Sequence, residues 1–281
     1  MALNPIKYSL IVERGMCPER VVDFTITPLL KNNINAPKLI PTIVDLRNKL
    51  PVIYDQGNLG SCVANALCYC FDYVDDTNFY PSRLFLYYNV RMLDKNINHD
   101  AGSTLTQGII ALEKYGISSD NLWPYIIPKF KEKPSVNAYL DASKHKLLSA
   151  KRVQQTMSSM KGCLQSGFPF VTGIMIYSSF ESNVATKTGY IPMPNTRTEQ
   201  LLGGHAVTCV GYNDTKGVWI MKNSWGTGWG DKGNFYLPYN YLLSASLSGD
   251  LWQITKVYVM STPRKIMVNK TLEKTKFLNR K

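Results

Sequence analysis

The sequence contains no long run of apolar residues. No stretch reaches the roughly 18 consecutive apolar residues that a membrane-spanning helix needs. The N-terminal residues MALNPIKYSL also lack the charged and then apolar order of a secretory signal. These absences argue against a membrane-spanning or secreted protein, and the expected location is intracellular. A hydrophobic content of 44% with 19% charged residues predicts an ordinary globular chain with a sizeable core.

Cysteine and histidine are scarce, and neither is spaced as in a metal site. The sequence has three histidines and no Cys-x-x-Cys pair, so a structural zinc ion would lack ligands at metal spacing. His99 and His145 lie in polar stretches and are expected at the surface. The six cysteines, too irregular for the disulfide framework of a small secreted protein, are Cys17, Cys62, Cys68, Cys70, Cys163 and Cys209. We expect mostly buried free thiols, and no metal or other cofactor.

Acidic residues are scarce at the C-terminal end of the chain. Residues 262–281 hold seven basic side chains and one acidic one, Glu273, which gives +6, half of the net charge of +12. A basic tail of this kind can contact nucleic acid, acidic lipid or an acidic protein partner. It can equally be a solvated charged end without a partner, and the sequence leaves both interpretations open.

The order of helix and strand patterns indicates the fold class. Prolines recur through residues 1–51, which predicts extended chain and turns there. Three helical patterns follow, at residues 61–74, 81–92 and 105–115. Short stretches rich in Val, Ile, Phe, Tyr and Trp come later, at residues 168–177, 205–212, 217–223, 234–237 and 252–260. Helices followed by strands in one chain predict an α+β protein with two segregated lobes.

Cys62 lies at the predicted start of the first helix, directly after a glycine-containing turn, residues 57–60. A cysteine attacks a carbonyl carbon only as the thiolate, and a free thiol with a pKa of about 8.5 is mostly protonated at neutral pH. The positive end of a helix dipole stabilises a negative sulfur. Because many buried cysteines lie on helices by chance, this position alone is a weak indication of a nucleophile.

Three motifs, in order along the chain, carry a family resemblance. The segment DQGNLGSC ends at Cys62, GGHAV contains His205, and VWIMKNSWGTGWG contains Asn223. His205 and Asn223 lie 143 and 161 positions after Cys62, the first within and the second slightly beyond the roughly 130–150 residues typical of papain-like enzymes. The chain is similar to the papain and cathepsin family of cysteine peptidases over about residues 37–261.

The resemblance implies the papain-like fold, with a helical N-terminal lobe and an antiparallel, β-barrel-like C-terminal lobe on either side of an active-site cleft. The helical lobe would cover about residues 37–130 and the β lobe about residues 131–261. The resemblance also implies polypeptide substrates and hydrolysis through an acyl-enzyme intermediate. An endopeptidase is the leading hypothesis. An exopeptidase of the same fold and a catalytically silent papain-like binding protein are the alternatives.

The resemblance assigns a role to each residue of the three motifs. Cys62 would attack the scissile carbonyl, and His205 would be the imidazolium beside it that later protonates the leaving amine. Asn223 would accept a hydrogen bond from the other ring N–H, and Trp225 would shield that bond from water. Gln56 would donate its side-chain amide to the oxyanion, beside the backbone N–H of the nucleophile.

The sequence departs from the family pattern at three positions. Leu59 stands where the family has a cysteine three positions before the nucleophile, so the usual disulfide cannot form there. Val63 replaces the aromatic residue that normally follows the nucleophile. Ser103 follows Gly102 where the family has a second glycine. The substrate-binding positions that the resemblance implies are Gly102, Ser103 and Gly204.

The N-terminal extension, residues 1–36, is shorter than the inhibitory prosegment common in the family. One branch, similar to cathepsin X, has a short prosegment whose cysteine can bond to the catalytic thiol. Cys17 is the one cysteine of this extension. Two interpretations remain open: the extension crosses the cleft with Cys17 near Cys62, as a redox-sensitive inhibitor, or it packs outside the cleft with Cys17 remote.

Overall fold

The computed structural model of the protein describes residues 41–75 and 79–259. The predictions about residues 1–36, Cys17 and the basic tail 262–281 lie outside the described residues. Within the described ranges, no helix combines the length and the apolar character needed to cross a lipid bilayer. The helices are α1 (Cys62–Asp75), α2 (Arg83–Leu93), α3 (Leu105–Lys114), α4 (Val136–Ala142), α5 (Met157–Gln165), α6 (Asn183–Thr188) and α7 (Tyr239–Leu243). The strands are β1 (Ile43–Asp45), β2 (His145–Arg152), β3 (Phe170–Tyr177), β4 (Leu201–Asn213), β5 (Val218–Lys222), β6 (Asn234–Pro238) and β7 (Ser248–Val259).

Local sequence signals determine where the three longest helices begin and end. α1 is buried along its whole length through Phe71, as expected for a central helix that is mostly apolar all round. Ser82 caps α2, because its hydroxyl accepts the backbone N–H of Phe85. α3 stops before Gly116, which has a φ of +74° that favours glycine. The three predicted helices are confirmed, each within two residues at either end.

The strands form an antiparallel sheet in the order β2-β7-β3-β4-β5-β6, with β1 also paired to β4. β4 is the longest strand, and it pairs with β3 along its first part and with β5 along its second. His205 therefore lies inside the sheet, opposite Ile174 of β3. The five stretches that the sequence predicts as strands correspond to β3, β4, β5, β6 and β7.

β1 is held against the end of β4 by a close approach of two backbones. A Cβ atom at Gly211 would lie 2.2 Å from the carbonyl oxygen of Val44, so any larger residue there would push β1 away. The Tyr212 hydroxyl fixes the same region by donating to the carbonyl oxygen of Pro41 at 2.6 Å. These contacts tie the start of the described chain to the strand that runs through the site.

The buried apolar side chains form two main cores. One surrounds α1, α2 and α3 and includes Leu67 and Phe71. The other lies between the sheet and α5, α6 and α7, and includes Trp219 and Phe235. A smaller cluster joins α4 to Phe85 of α2. The predicted α+β class, with a helical lobe and an antiparallel β lobe, is confirmed.

The structure differs from the sequence predictions at β2 and at His145. The sequence does not predict β2, because Leu147 alone of its residues is buried and the strand lies at the end of the sheet order.

His145, expected at the surface, has a side chain only 12% exposed, which stacks on Phe79 with ring centroids 3.9 Å apart. Burial lowers the pKa of His145, and the nearby carboxylate of Asp141 acts in the opposite direction. The prediction is wrong because the aromatic partner belongs to a distant part of the chain. His99 is exposed, as expected.

Candidate active site

Cys62 lies where α1 begins, against β4. The Thr208 hydroxyl of β4 donates to the carbonyl oxygen of Ala66 in α1 at 3.1 Å, which fixes the helix on the sheet. Cys62 is fully buried, and this burial raises the pKa of its thiol to about 11. Backbone N–H groups of Ala206 and of the first turn of α1 bind the sulfur and lower that pKa. Because Ala206 follows His205 directly, the sulfur lies next to the part of β4 that carries the predicted base.

His205 is oriented by Asn223. Asn223 directly follows β5, the neighbour of β4, which brings its side chain close to that of His205. His205 Nε2 lies 2.8 Å from Asn223 Oδ1, and both residues are buried. Since an amide oxygen only accepts, Nε2 is the donor; the same oxygen also accepts the N–H of Ser224 at 2.9 Å. Nδ1 is therefore the ring nitrogen that can exchange a proton with Cys62.

Trp225 covers the ring of His205. The two rings stack with their centroids 4.7 Å apart and an interplanar angle of 28°. Phe180 and Trp229 pack edge-on against Trp225, with centroid distances of 5.8 and 5.0 Å. An aromatic cluster at this place lowers the local dielectric around the His205–Asn223 hydrogen bond and keeps water from competing for it. Trp225 thus occupies a position from which it can shield that bond.

Gln56 reaches the site through a short antiparallel backbone pairing. The N–H of Gln56 donates to the carbonyl oxygen of Ser224 at 2.8 Å, and the N–H of Gly226 donates to that of Tyr54 at 3.0 Å. Gly226 has a φ of +73°, which lets the chain turn directly after the pairing. The segment before α1 and the segment after β5 consequently lie side by side.

The side-chain amide of Gln56 is held through both of its polar atoms. Ser224 Oγ donates to Gln56 Oε1 at 2.6 Å, and Gln56 Nε2 donates to the carbonyl oxygen of Leu59 at 3.0 Å. The residue is fully buried, which strengthens both hydrogen bonds. The amide nitrogen is thereby fixed over the turn that precedes Cys62. Ser224 lies inside the asparagine motif, yet the sequence gives no sign of this contact.

Tyr69 belongs to the site although sequence reasoning misses it. From the middle of α1, its hydroxyl accepts the N–H of Tyr54 at 2.6 Å and donates to the carbonyl oxygen of Asn223 at 3.0 Å. The Lys222 ammonium lies 4.8 Å from the centroid of the Tyr69 ring, and burial lowers the pKa of Lys222 to about 8. α1 therefore holds the backbone of Asn223 as well as the predicted nucleophile. In the sequence, Tyr69 looks like any core residue of a helix.

The positions assigned to substrate binding lie on two different elements. Gly204 is part of β4, next to His205, and pairs with Met175 of β3. Gly102 and Ser103 lie on the loop between α2 and α3. Gly102 has a φ of +71°, which explains the glycine, and Ser103 is buried. Gly204 thus adjoins the predicted base, whereas the other two positions belong to the helical lobe.

The described cysteines other than Cys62 are all free and buried, as predicted. Burial raises the pKa of Cys70 and also that of Cys163, the latter to about 12. Cys62 differs from them in lying at a helix start, where the backbone of Ala206, the residue after the predicted base, lowers its pKa. Cys17 lies outside the described residues, so its approach to Cys62 stays a prediction. In the described part of the chain, no group of three or more His, Cys, Asp or Glu side chains could hold a metal ion.

Known proteins resemble this chain in sequence and in fold. The family model of the papain family cysteine proteases matches residues 40–243. An uncharacterized peptidase C1-like protein of Acanthamoeba polyphaga mimivirus is 41% identical over 239 residues, 79% of this chain and 76% of that protein. Peptidase 1 of Euroglyphus maynei is 26% identical over 74% of this chain and 64% of its own length. Xylellain, a cysteine protease from Xylella fastidiosa, superimposes with a TM-score of 0.76 at 35% identity, over 91% of this chain and 97% of xylellain.

These similarities extend over most of the chain and agree with one another. The family match includes Cys62, His205 and Asn223, and it ends in α7. The similarity to xylellain covers both the helical and the β lobe. The chain belongs to the papain family of cysteine proteases.

Proposed function

We propose that the protein hydrolyses peptide bonds as a cysteine-type endopeptidase. The observation that carries this proposal is the 2.8 Å hydrogen bond between His205 Nε2 and Asn223 Oδ1, with His205 on β4, the strand against which the cysteine-bearing helix α1 packs. Because Nε2 donates its proton in that bond, Nδ1 is the ring nitrogen that would exchange a proton with the sulfur. The resemblance to xylellain, a cysteine protease, supports the peptidase class.

In the proposed mechanism, the nucleophile forms by proton transfer between two side chains. Cys62 Sγ gives its proton to His205 Nδ1, and the thiolate attacks the carbonyl carbon of the scissile bond. The electron pair of the C=O bond moves to the oxygen and returns as the C–N bond breaks. His205 protonates the departing amine, which leaves a thioester on Cys62. Water deprotonated by His205 then attacks the thioester, releases the carboxylic acid product and restores the thiol.

Two N–H groups are proposed to stabilise the oxyanion. Gln56 Nε2 uses one hydrogen for the carbonyl oxygen of Leu59, and its second hydrogen can bind the oxyanion. The backbone N–H of Cys62, at the first position of α1, is the other donor. Both donors are fixed before the substrate arrives, because Gln56 and Cys62 are fully buried. Such preorganised donors stabilise the transition state more than the substrate.

The thiolate of Cys62 is expected to depend on His205 for its stability. Burial raises the pKa of the thiol to about 11, so a thiolate at neutral pH requires an adjacent cation. In wild-type protein, alkylation of Cys62 by iodoacetamide should already be fast at neutral pH. In the His205→Ala variant, the rate should keep rising with pH up to about 11. Mass spectrometry of the Cys62 peptide measures both profiles, and two identical profiles would contradict the ion pair.

Endopeptidases and exopeptidases share this chemistry and differ in where they cut. We expect full-length protein with reductant to cut internal bonds in a peptide library, and to cut equally well when the peptide ends are acetylated and amidated. Mass spectrometry of the products identifies each cleaved bond. Cuts confined to one or two residues from an end, lost when that end is blocked, would support the exopeptidase instead.

A catalytically silent binding protein is separated from both enzymes by chemical labelling. An epoxide or vinyl-sulfone inhibitor needs the activated thiolate and should form a covalent adduct at Cys62. The other described cysteines are the internal control and should stay unlabelled, since none of them lies at the start of a helix and burial raises the pKa of each thiol. A protein that neither cleaves the library nor forms this adduct would refute the proposed function.

The same digest tests the role proposed for the N-terminal extension. A version that starts near Pro37 should exceed the full-length chain in rate if residues 1–36 cross the cleft. Reductant should then activate the full-length chain selectively, because it would release a bond between Cys17 and Cys62. Equal rates with and without the extension would support the alternative, a segment packed outside the cleft.

A further inference from the structure

The turn before Cys62 carries a hydrogen bond that the mechanism above does not use. The N–H of Gly60 donates to both carboxylate oxygens of Asp100, at 3.0 and 3.1 Å. Asp100 lies on the loop between α2 and α3, 40 positions further along the chain. Leu59, which stands in place of the family's cysteine, is buried in the helical core. A charge-assisted hydrogen bond thus holds the turn at which the family pattern has a disulfide.

Tyr87 of α2 holds the carboxylate of Asp100 from a second side. Tyr87 is fully buried in α2, and its hydroxyl donates to Asp100 Oδ1. Burial raises the pKa of Tyr87, so the hydroxyl keeps the proton that it donates. The backbone N–H of Gly102, in the candidate substrate-binding loop, acts to lower the pKa of the same hydroxyl. Hydrogen bonds therefore run from Tyr87 through Asp100 to Gly60.

The N–H of Gly60 and the carbonyl oxygen of Leu59 belong to one planar peptide unit. Asp100 binds the N–H side of that unit. On the other side, the carbonyl oxygen accepts Gln56 Nε2 at 3.0 Å and the N–H of Ser61 at 2.8 Å. A rotation of the peptide plane would therefore move the amide of Gln56 and the residue that precedes the nucleophile.

We propose that Asp100 is a positioning residue, which sets the oxyanion-binding amide of Gln56 through the peptide unit between Leu59 and Gly60. The inference rests on the proposed peptidase function and deepens it. Asp100 touches neither the substrate nor the reacting atoms in this proposal. Its carboxylate is fixed from two sides, by Gly60 and by Tyr87, and so it can transmit a defined orientation.

The charge of Asp100 and its hydrogen bonds have opposite effects on the reaction. Burial is the main cause of the raised pKa of Cys62, and the negative charge of Asp100 raises it further. Removal of that charge should therefore leave thiolate formation unchanged or make it easier. Removal of the hydrogen bonds should slow the turnover of an enzyme whose thiol is intact. The two effects can be measured separately on the same variants.

The test compares Asp100→Ala and Asp100→Asn with wild-type, full-length protein. Alanine removes every acceptor for Gly60, whereas asparagine keeps one and removes the charge. We expect Asp100→Ala to lower kcat per titrated active site by about 10- to 100-fold, with a smaller change in KM. Asp100→Asn should retain more of kcat. Glu113→Gln is the matched control for loss of an acidic charge, because Glu113 is exposed on α3, and it should keep wild-type kcat.

Active-site titration with the epoxide label separates positioning from a loss of folded protein. A merely structural role would reduce the number of titrated sites and leave kcat per site unchanged. Alkylation of Cys62 at neutral pH should be at least as fast in both variants as in wild type. The proposal is overturned if Asp100→Ala keeps kcat per site within about twofold of the Glu113→Gln control. A wild-type chain without any peptidase activity would instead contradict the proposed function.

Discussion

Replacement of Cys62 by alanine is expected to abolish peptide hydrolysis, with kcat/KM lower by on the order of 10⁴-fold or more. In the proposed mechanism, every substrate molecule passes through a thioester on this sulfur, and alanine has no atom that can bond to the carbonyl carbon. Among the described residues, the other cysteines also have thiol pKa values raised by burial, and none of them lies at the start of a helix as Cys62 does. None of them is expected to replace the missing nucleophile.

A matched control for this substitution is Cys163→Ala. Cys163 is also a free and nearly fully buried thiol, but it lies on α5 and donates to the carbonyl oxygen of Phe168, within the β lobe. Cys163→Ala should keep wild-type turnover, and Cys62→Ala should keep a wild-type unfolding transition. Initial rates on a peptide cleaved in the library digest, together with far-UV circular dichroism on heating, measure both expectations.

The Cys62→Ser variant tests the same assignment with a smaller change in the shape of the side chain. The serine hydroxyl has nearly the shape of the thiol, but it is a far weaker acid, so His205 cannot generate a comparable nucleophile from it. We expect this variant to be almost as inactive as Cys62→Ala and to remain folded. Hydrolysis at the wild-type rate by either variant would mean that another group is the nucleophile, and the assignment of Cys62 would fail.

The sequence predicts the helices of the N-terminal lobe because their signals are local. Apolar residues around the whole of α1, the cap at Ser82 and the stop at Gly116 all lie within or next to the helix that they define. β1 and β2 are not predicted, because their patterns are weak and they become strands only by pairing with β4 and β7. Pairing partners that lie a hundred or more residues away produce no pattern in the local sequence.

The residues of the candidate site also fall into two groups, those that the sequence predicts and those that it does not. Cys62, His205 and Asn223 are predictable because each lies in a motif whose residues are neighbours in sequence. Tyr69 and Asp100 are not predictable, because their side chains act on backbone groups of distant segments, which any residue type could supply. A buried tyrosine in a helix and an aspartate in a loop have no local pattern that distinguishes them from ordinary core and surface residues.

Replacement of Gln56 by alanine is expected to lower kcat by about 10²- to 10³-fold, with little change in KM. The side-chain amide is proposed to donate to the oxyanion, which carries its full negative charge only in the tetrahedral intermediate. Loss of a donor of this kind removes stabilisation from the transition state and leaves substrate binding mostly unaffected. Steady-state kinetics on the same peptide measures both constants.

Gln56→Ala also removes two structural contacts, to Ser224 and to Leu59, so the loss of activity needs a control. Ser224→Ala removes the 2.6 Å hydrogen bond to Gln56 Oε1 while the donor nitrogen stays in place, and it should lower kcat by less than about tenfold.

Gln56→Glu keeps the size of the side chain but replaces the donor with a negative charge that faces the oxyanion. It should therefore be at least as slow as Gln56→Ala. If Gln56→Glu were faster than Gln56→Ala, or if Ser224→Ala were as slow as either, the amide would act through packing, and its role as an oxyanion donor would be refuted.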